Sequence, residues 1–167
     1  MKNKVQTIVL LLFAAGIVFF LYQRWFPNEE KRLRTMLFKL AETATVPEKS
    51  GTVGDLATAE RLRDYFTADV VVAVEAPGEG EFHAVGRPEI VEAALTARKM
   101  FRGLKVQFLD INVTLGPDKQ TATAELTARV TLKGEKDFFV QELKLQLKQE
   151  DRQWHIAKAE TVRTLKP

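Results

Sequence analysis

"LKVQFLDINVTL", residues 104–115, is where the hydrophobic spacing changes from helical to alternating, and the alternation contains one slip. Leu104, Val106 and Phe108 share one parity, whereas Leu109, Ile111, Val113 and Leu115 share the other. Successive side chains of a strand face opposite ways, so an unbroken strand would have to bury both of its sides. One extra residue between Phe108 and Asp110 resolves the conflict, because a β-bulge puts both sets on one face and bends the strand. The expectation is a strongly curved sheet with one buried face.

The period of two persists to the end of the chain. Strands are predicted at about 104–115, 119–132, 137–149 and 153–164, separated by the turn stretches "GPDK", "KGEK" and "EDRQ". In the second of them Ala122, Ala124, Leu126, Ala128, Val130 and Leu132 alternate with Thr121, Thr123, Glu125, Thr127, Arg129 and Thr131. Small inward side chains let a helix approach closely or leave room for a ligand.

Upstream the spacing is helical. Leu33, Met36, Leu37, Leu40 and Ala44 make one stripe, with Asn28 as its expected cap. Thr52 and Asp55 have capping-box spacing before a second helix, whose expected buried face is Leu56, Ala59, Leu62 and Phe66. The β-branched run "DVVVAVEA", residues 69–76, and the short return "EFHAV" after Pro77, Gly78 and Gly80 predict an antiparallel hairpin. Gly86 ends it, Pro88 sits in the first turn of a third helix, and Ile90, Val91, Ala94, Leu95 and Phe101 form that helix's stripe. Helices followed by consecutive antiparallel strands make an α+β fold with three helices on one face of a mostly antiparallel sheet.

The beginning of the chain is different in kind. Val5 to Tyr22 carries no charge, and 18 residues span about 27 Å as a helix, close to the thickness of a bilayer's hydrocarbon core. "QRWFPN" after it offers no small-x-small cleavage site, and the chain has no cysteine for lipid attachment or disulfides. The expectation is one uncleaved transmembrane anchor in residues 1–27, with the bilayer as partner of residues 5–22, and a single domain in residues 28–167. Arg24, Lys31, Arg32 and Arg34 argue for a cytoplasmic domain. The Lys2-x-Lys4 start followed by an apolar core resembles an export signal, and favours a single-pass protein of a bacterial inner membrane with its domain in the periplasm.

Of the 25 basic residues, Lys2, Lys4 and Arg24 lie in the leader, so residues 28–167 balance 22 basic against 22 acidic side chains. That balance gives no footprint for nucleic acid. Two histidines without a cysteine or an acidic cluster do not make a metal site, and no phosphate loop or nucleophile elbow points to a cofactor.

The order of elements, three helices with a hairpin after the second and four long strands with an early bulge, resembles the nuclear transport factor 2-like superfamily. This is the cystatin-like cone shared by polyketide cyclase-like and ketosteroid isomerase-like proteins. "HAVGRPEIVEAAL" is similar to that family's entry into its third helix, and "QEDRQWHIAKAET" to its last strand. An isomerase of this kind is expected to carry a strand carboxylate as base, but "VVVAVE" has no internal Asp and only Glu75 at its end. No catalytic set is assigned. Tyr65, His83, Asp110, Trp154 and His155 are the candidates for a pocket. The favoured reading is a membrane-tethered binding or assembly domain without catalysis, taking a small apolar ligand or a protein partner, with a homodimer open to it. An isomerase or cyclase using a pocket acid, and a scaffold subunit of an envelope or secretion system, are the alternatives.

Overall fold

The computed structural model describes residues 29–76, 80–134 and 138–162. The chain divides into two compact units, Met1–Arg32 and Leu33–Pro167. The first contributes residues 29–32 to this description, with Arg32 paired to Glu29 at 2.9 Å. The expected anchor in residues 1–27 and the cap at Asn28 lie outside the described residues. Among those described, no helix is long and apolar enough to cross a membrane.

Helix α1 (Glu29–Ala44) and helix α2 (Thr52–Arg63) precede a hairpin of β1 (Phe66–Ala76) and β2 (Gly80–Val85). Helix α3 (Gly86–Met100) then leads into the meander β3 (Leu104–Leu115), β4 (Thr121–Leu132), β5 (Phe138–Glu150) and β6 (Gln153–Thr161). The sheet order is β2-β1-β6-β5-β4-β3. All neighbours run antiparallel except β1 and β6, which are parallel, so the hairpin joins the meander through one parallel seam. Three helices on a six-stranded mixed sheet are the expected α+β architecture.

The bulge falls where the parity changes. Leu109 lies opposite Thr127 and Asn112 opposite Glu125, so β3 spends one more residue than β4 on this interval. Asp110 takes the positive φ of 51° that the extra residue needs. Ile111 and Val113 are buried, and Phe108 packs against the same core. Leu109 is 39% exposed and turns outward, so the second apolar set starts at Ile111 and not at Leu109 as its parity implied.

The helices cover this face. Leu33, Leu37 and Leu40 of the expected stripe are buried, Met36 and Ala44 are partly buried against the same core, and Ala41 is buried outside the stripe. On α2 the outcome differs: Leu56 is 49% exposed, Phe66 begins β1, and the buried positions are Asp55, Ala59 and Leu62. The cap of α2 is Gly51, without a side-chain bond, so Thr52 and Asp55 do not form the expected capping box. Asp55 is turned inward instead.

Helix α3 starts as its sequence implies. Gly86 has φ +78°, and a Cβ there would stand 3.4 Å from the carbonyl oxygen of Ala68. Arg87 Nε donates to the Phe66 carbonyl at 2.8 Å, and Glu89 accepts the Val85 N–H at 2.6 Å. The β3 edge is also occupied: Val46 N–H donates to Leu104 O at 2.7 Å, Thr45 Oγ1 accepts the Val106 N–H at 3.1 Å, and Arg34 Nη1 donates to Ile111 O. Edge groups satisfied within the chain do not template another strand.

Candidate functional site

A cavity of about 720 Å³ lies against α3, bounded by Phe82 and Ala84 of β2, by Leu104 and Val106 of β3, and by Ala44 and Val46 at the exit of α1. It therefore reaches both edge strands. Its size suits a small organic molecule.

The wall that α3 supplies is graded around the helix. Glu89, Glu92 and Thr96 form one flank, Ala93 and Ala97 the middle, and Ala94 and Arg98 the other. Nine residues at about 100° each put Glu89 and Arg98 on opposite sides of the helix axis, with Ala93, Ala97 and Ala94 on the arc between them. Glu89 and Glu92 are exposed, whereas Arg98 is buried at 3% exposure. Alanines between them leave the space that larger side chains would fill.

Arg98 is held from three sides. Its Nη2 donates to the carbonyls of Thr43 at 2.7 Å and Thr45 at 3.2 Å, and its Nη1 is 3.5 Å from Asp55 Oδ1. The two carbonyls belong to the last turn of α1 and its exit, the negative end of the helix dipole. Asp55 is itself shared: Ser50 Oγ donates to Oδ1 at 2.6 Å, and Arg102 Nη2 is 2.9 Å from Oδ2. The Ser50 hydroxyl, aided by Arg102 and Arg98 and opposed by burial, holds the Asp55 carboxyl below the ordinary carboxylate range. The buried cluster ties the ends of all three helices together next to the cavity.

The five residues expected at a pocket are dispersed. His83 lines the cavity between Phe82 and Ala84 and is exposed, whereas the other four lie elsewhere. Tyr65 packs on the core, with its hydroxyl 3.3 Å from Thr43 Oγ1. Asp110 is exposed at the bulge. Trp154 is a core residue at 6% exposure, and His155 Nδ1 lies 3.0 Å from the carbonyl of Asp64. Among the described residues no three His, Cys, Asp or Glu side chains gather to hold a metal.

Asp55 and Arg98 are not among the candidates read from sequence, though each leaves a signal there. Asp55 stands in line with Ala59 and Leu62, and Arg98 with Ile90 and Ala94, at the spacing of a buried stripe. A charged residue in phase with the apolar positions of one helix, matched by an opposite charge in phase on another, marks a buried pair.

Residues 48–160 match the model of the SnoaL-like domain. The chain belongs to the SnoaL-like domain family. A search of curated proteins finds no match. Among solved structures, one from Novosphingobium aromaticivorans with a cystatin-like fold, named as nuclear transport factor 2-like, is 19% identical with a TM-score of 0.59, covering 89% of this chain and 86% of its own. Another from that organism, provisionally named a scytalone dehydratase, is 20% identical with a TM-score of 0.59 over 82% and 85% of the two chains. Aln2 from a Streptomyces species is 14% identical with a TM-score of 0.63 over 83% and 92%. At these identities the likeness establishes the fold, in agreement with the nuclear transport factor 2-like resemblance.

Proposed function

We propose that this SnoaL-like domain is a receptor for an apolar small molecule, held at a bacterial inner membrane by residues 5–22, with the cavity beside α3 as its site and without acid–base chemistry there. The observation that carries the reading is the composition of the cavity's inner wall, where Ala44, Ala84, Ala93, Ala94 and Ala97 stand among larger apolar residues. The buried carboxylate next to it, Asp55, is engaged by Ser50, Arg98 and Arg102. A carboxylate stabilised in its charged form in this way is a weak proton acceptor, so it holds the helices and does not abstract protons.

An isomerase or dehydratase is the second reading, favoured by family membership and by the provisional name of the Novosphingobium relative. It requires proton transfer by a group of the cavity lining, where His83, Glu89 and Glu92 stand exposed. The measurement that decides between them is binding of the neutral dye Nile red to the full-length protein, followed by a screen of cyclic ketones for turnover. Ala97→Trp, which fills the middle of the cavity, should weaken dye binding at least about tenfold with unchanged circular dichroism. Unchanged dye affinity would remove the cavity as the site, and turnover of any ketone would favour the enzymatic reading.

A further inference from the structure

We infer that the molecule received by this cavity ends in a carboxylate that docks on Arg98, an inference that rests on the binding role proposed above. Arg98 is a cavity-lining residue at 3% exposure, and its Nε finds no acceptor among the described residues. A buried donor left unmade is costly, and the single free N–H of a charged guanidinium makes a charge-assisted hydrogen bond to one carboxylate oxygen. The protein supplies less negative charge here than the cluster can take. Arg98 and Arg102 share one carboxylate, Asp55, so two positive groups and one negative group leave a single positive charge. The Thr43 and Thr45 carbonyls offset part of it, but they bring dipoles and not a full charge. An incoming carboxylate would supply both the missing charge and the missing acceptor.

The rest of the wall sets the ligand's direction. Glu89 and Glu92 are exposed on the flank of α3 away from Arg98, so a carboxylate is disfavoured there and favoured at the buried end. Ala93 and Ala97 lie between, and accept a flat or linear apolar body. The class is therefore an apolar monocarboxylate, inserted acid-first.

Three probes with one ring system test this on the full-length protein by displacement of Nile red: 2-naphthoate, 2-acetonaphthone and 2-ethylnaphthalene. 2-Naphthoate should bind about 10–100-fold more tightly than 2-ethylnaphthalene, the range for a hydrogen bond to a charged group, and more tightly than the ketone. Arg98→Met should remove the advantage of 2-naphthoate and leave the affinity of 2-ethylnaphthalene within about twofold. If Arg98→Met does not fold, the wild-type ranking still decides. Equal affinities of the three probes would overturn the carboxylate inference while leaving an apolar receptor. Failure of all three to displace the dye would overturn both.

Discussion

The seam between α2 and α3 and the ladder of β3, β4 and β5 bury their residues by opposite means. In the ladder most inward positions are apolar, with Ala122, Ala124, Leu126 and Ala128 of β4 all below a tenth exposed, and among the described residues no ionisable residue is buried there as Asp55 and Arg98 are. There Glu125 lies opposite Lys144, and Lys144 opposite Glu160, in register across the strands. In the seam the charges go in, with Asp55 at 5% and Arg98 at 3% exposure. The reason lies beside them. A helix that borders a cavity cannot be held there by large apolar side chains without filling it, so the helix ends are tied by one carboxylate and the donors around it. Stability is spread over many residues in the ladder and concentrated on a few in the seam.

The sharpest test of that contrast removes Arg98. Arg98→Ala should cost about 3–5 kcal/mol in urea unfolding, because Asp55 loses a buried partner and the Thr43 and Thr45 carbonyls lose their donor. Removing both partners leaves no buried orphan charge, since Arg102 is 38% exposed, so Asp55→Ala in the Arg98→Ala background should cost much less than the sum of the two single changes. Additivity would show that the pair is not a unit. Next comes Leu147→Ala in the ladder, at 1% exposure, with an expected loss of about 2–5 kcal/mol from cavity creation and no such coupling to the seam.

Acid separates the regions further. The Asp55 carboxyl is lowered first by the Ser50 hydroxyl and then by Arg102 and Arg98. A depressed folded-state value contributes stability that is complete above the unfolded carboxylate's range and is lost as pH falls through the folded value. Wild-type stability should therefore decline in the acid range, below the ordinary carboxylate value, and Asp55→Asn should flatten that decline. Unfolding profiles for the two proteins with the same acid slope would remove Asp55 as the titrating group.

How much of this is legible in the sequence follows from the same contrast. Period-two alternation announces a strand wherever one face is buried and the other wet, so the four long strands and the bulge near Asp110 can be read residue by residue. The seam cannot, because binary patterning treats a charged residue as solvent-facing. Asp55 reads as a capping residue and Leu56 as core, and the structure exchanges them, with Asp55 inside and Leu56 49% exposed. Of the pocket candidates taken from the sequence, only His83 lines the cavity beside α3. What the fold brings together is a pair separated by 43 positions, which spacing within one helix cannot show.

Gly86 stands outside the ladder, at the passage from β2 to α3, and sets how the seam's second helix begins. Its φ is +78° and a Cβ would stand 3.4 Å from Ala68 O, so Gly86→Val should cost about 1–3 kcal/mol through backbone strain. If the midpoint of unfolding is unchanged, the passage into α3 is not fixed by that turn.

Asp110 should give the smallest effect, and it tests the ladder where its pattern is irregular. The residue is exposed, with φ of 51°, a left-handed conformation that Asp and Asn adopt more readily than other residues with a side chain. Asp110→Asn keeps that tolerance and most of the local hydrogen-bonding capacity, so stability should move by less than about 1 kcal/mol. Asp110→Val should cost more, since a β-branched side chain resists positive φ, while leaving dye binding in the cavity unchanged. If Asp110→Asn instead abolished binding or a turnover found in the ketone screen, with the fold intact, Asp110 would be a working acid. The bulge would then serve to present it, and the site would have to be sought on the ladder and not beside the seam.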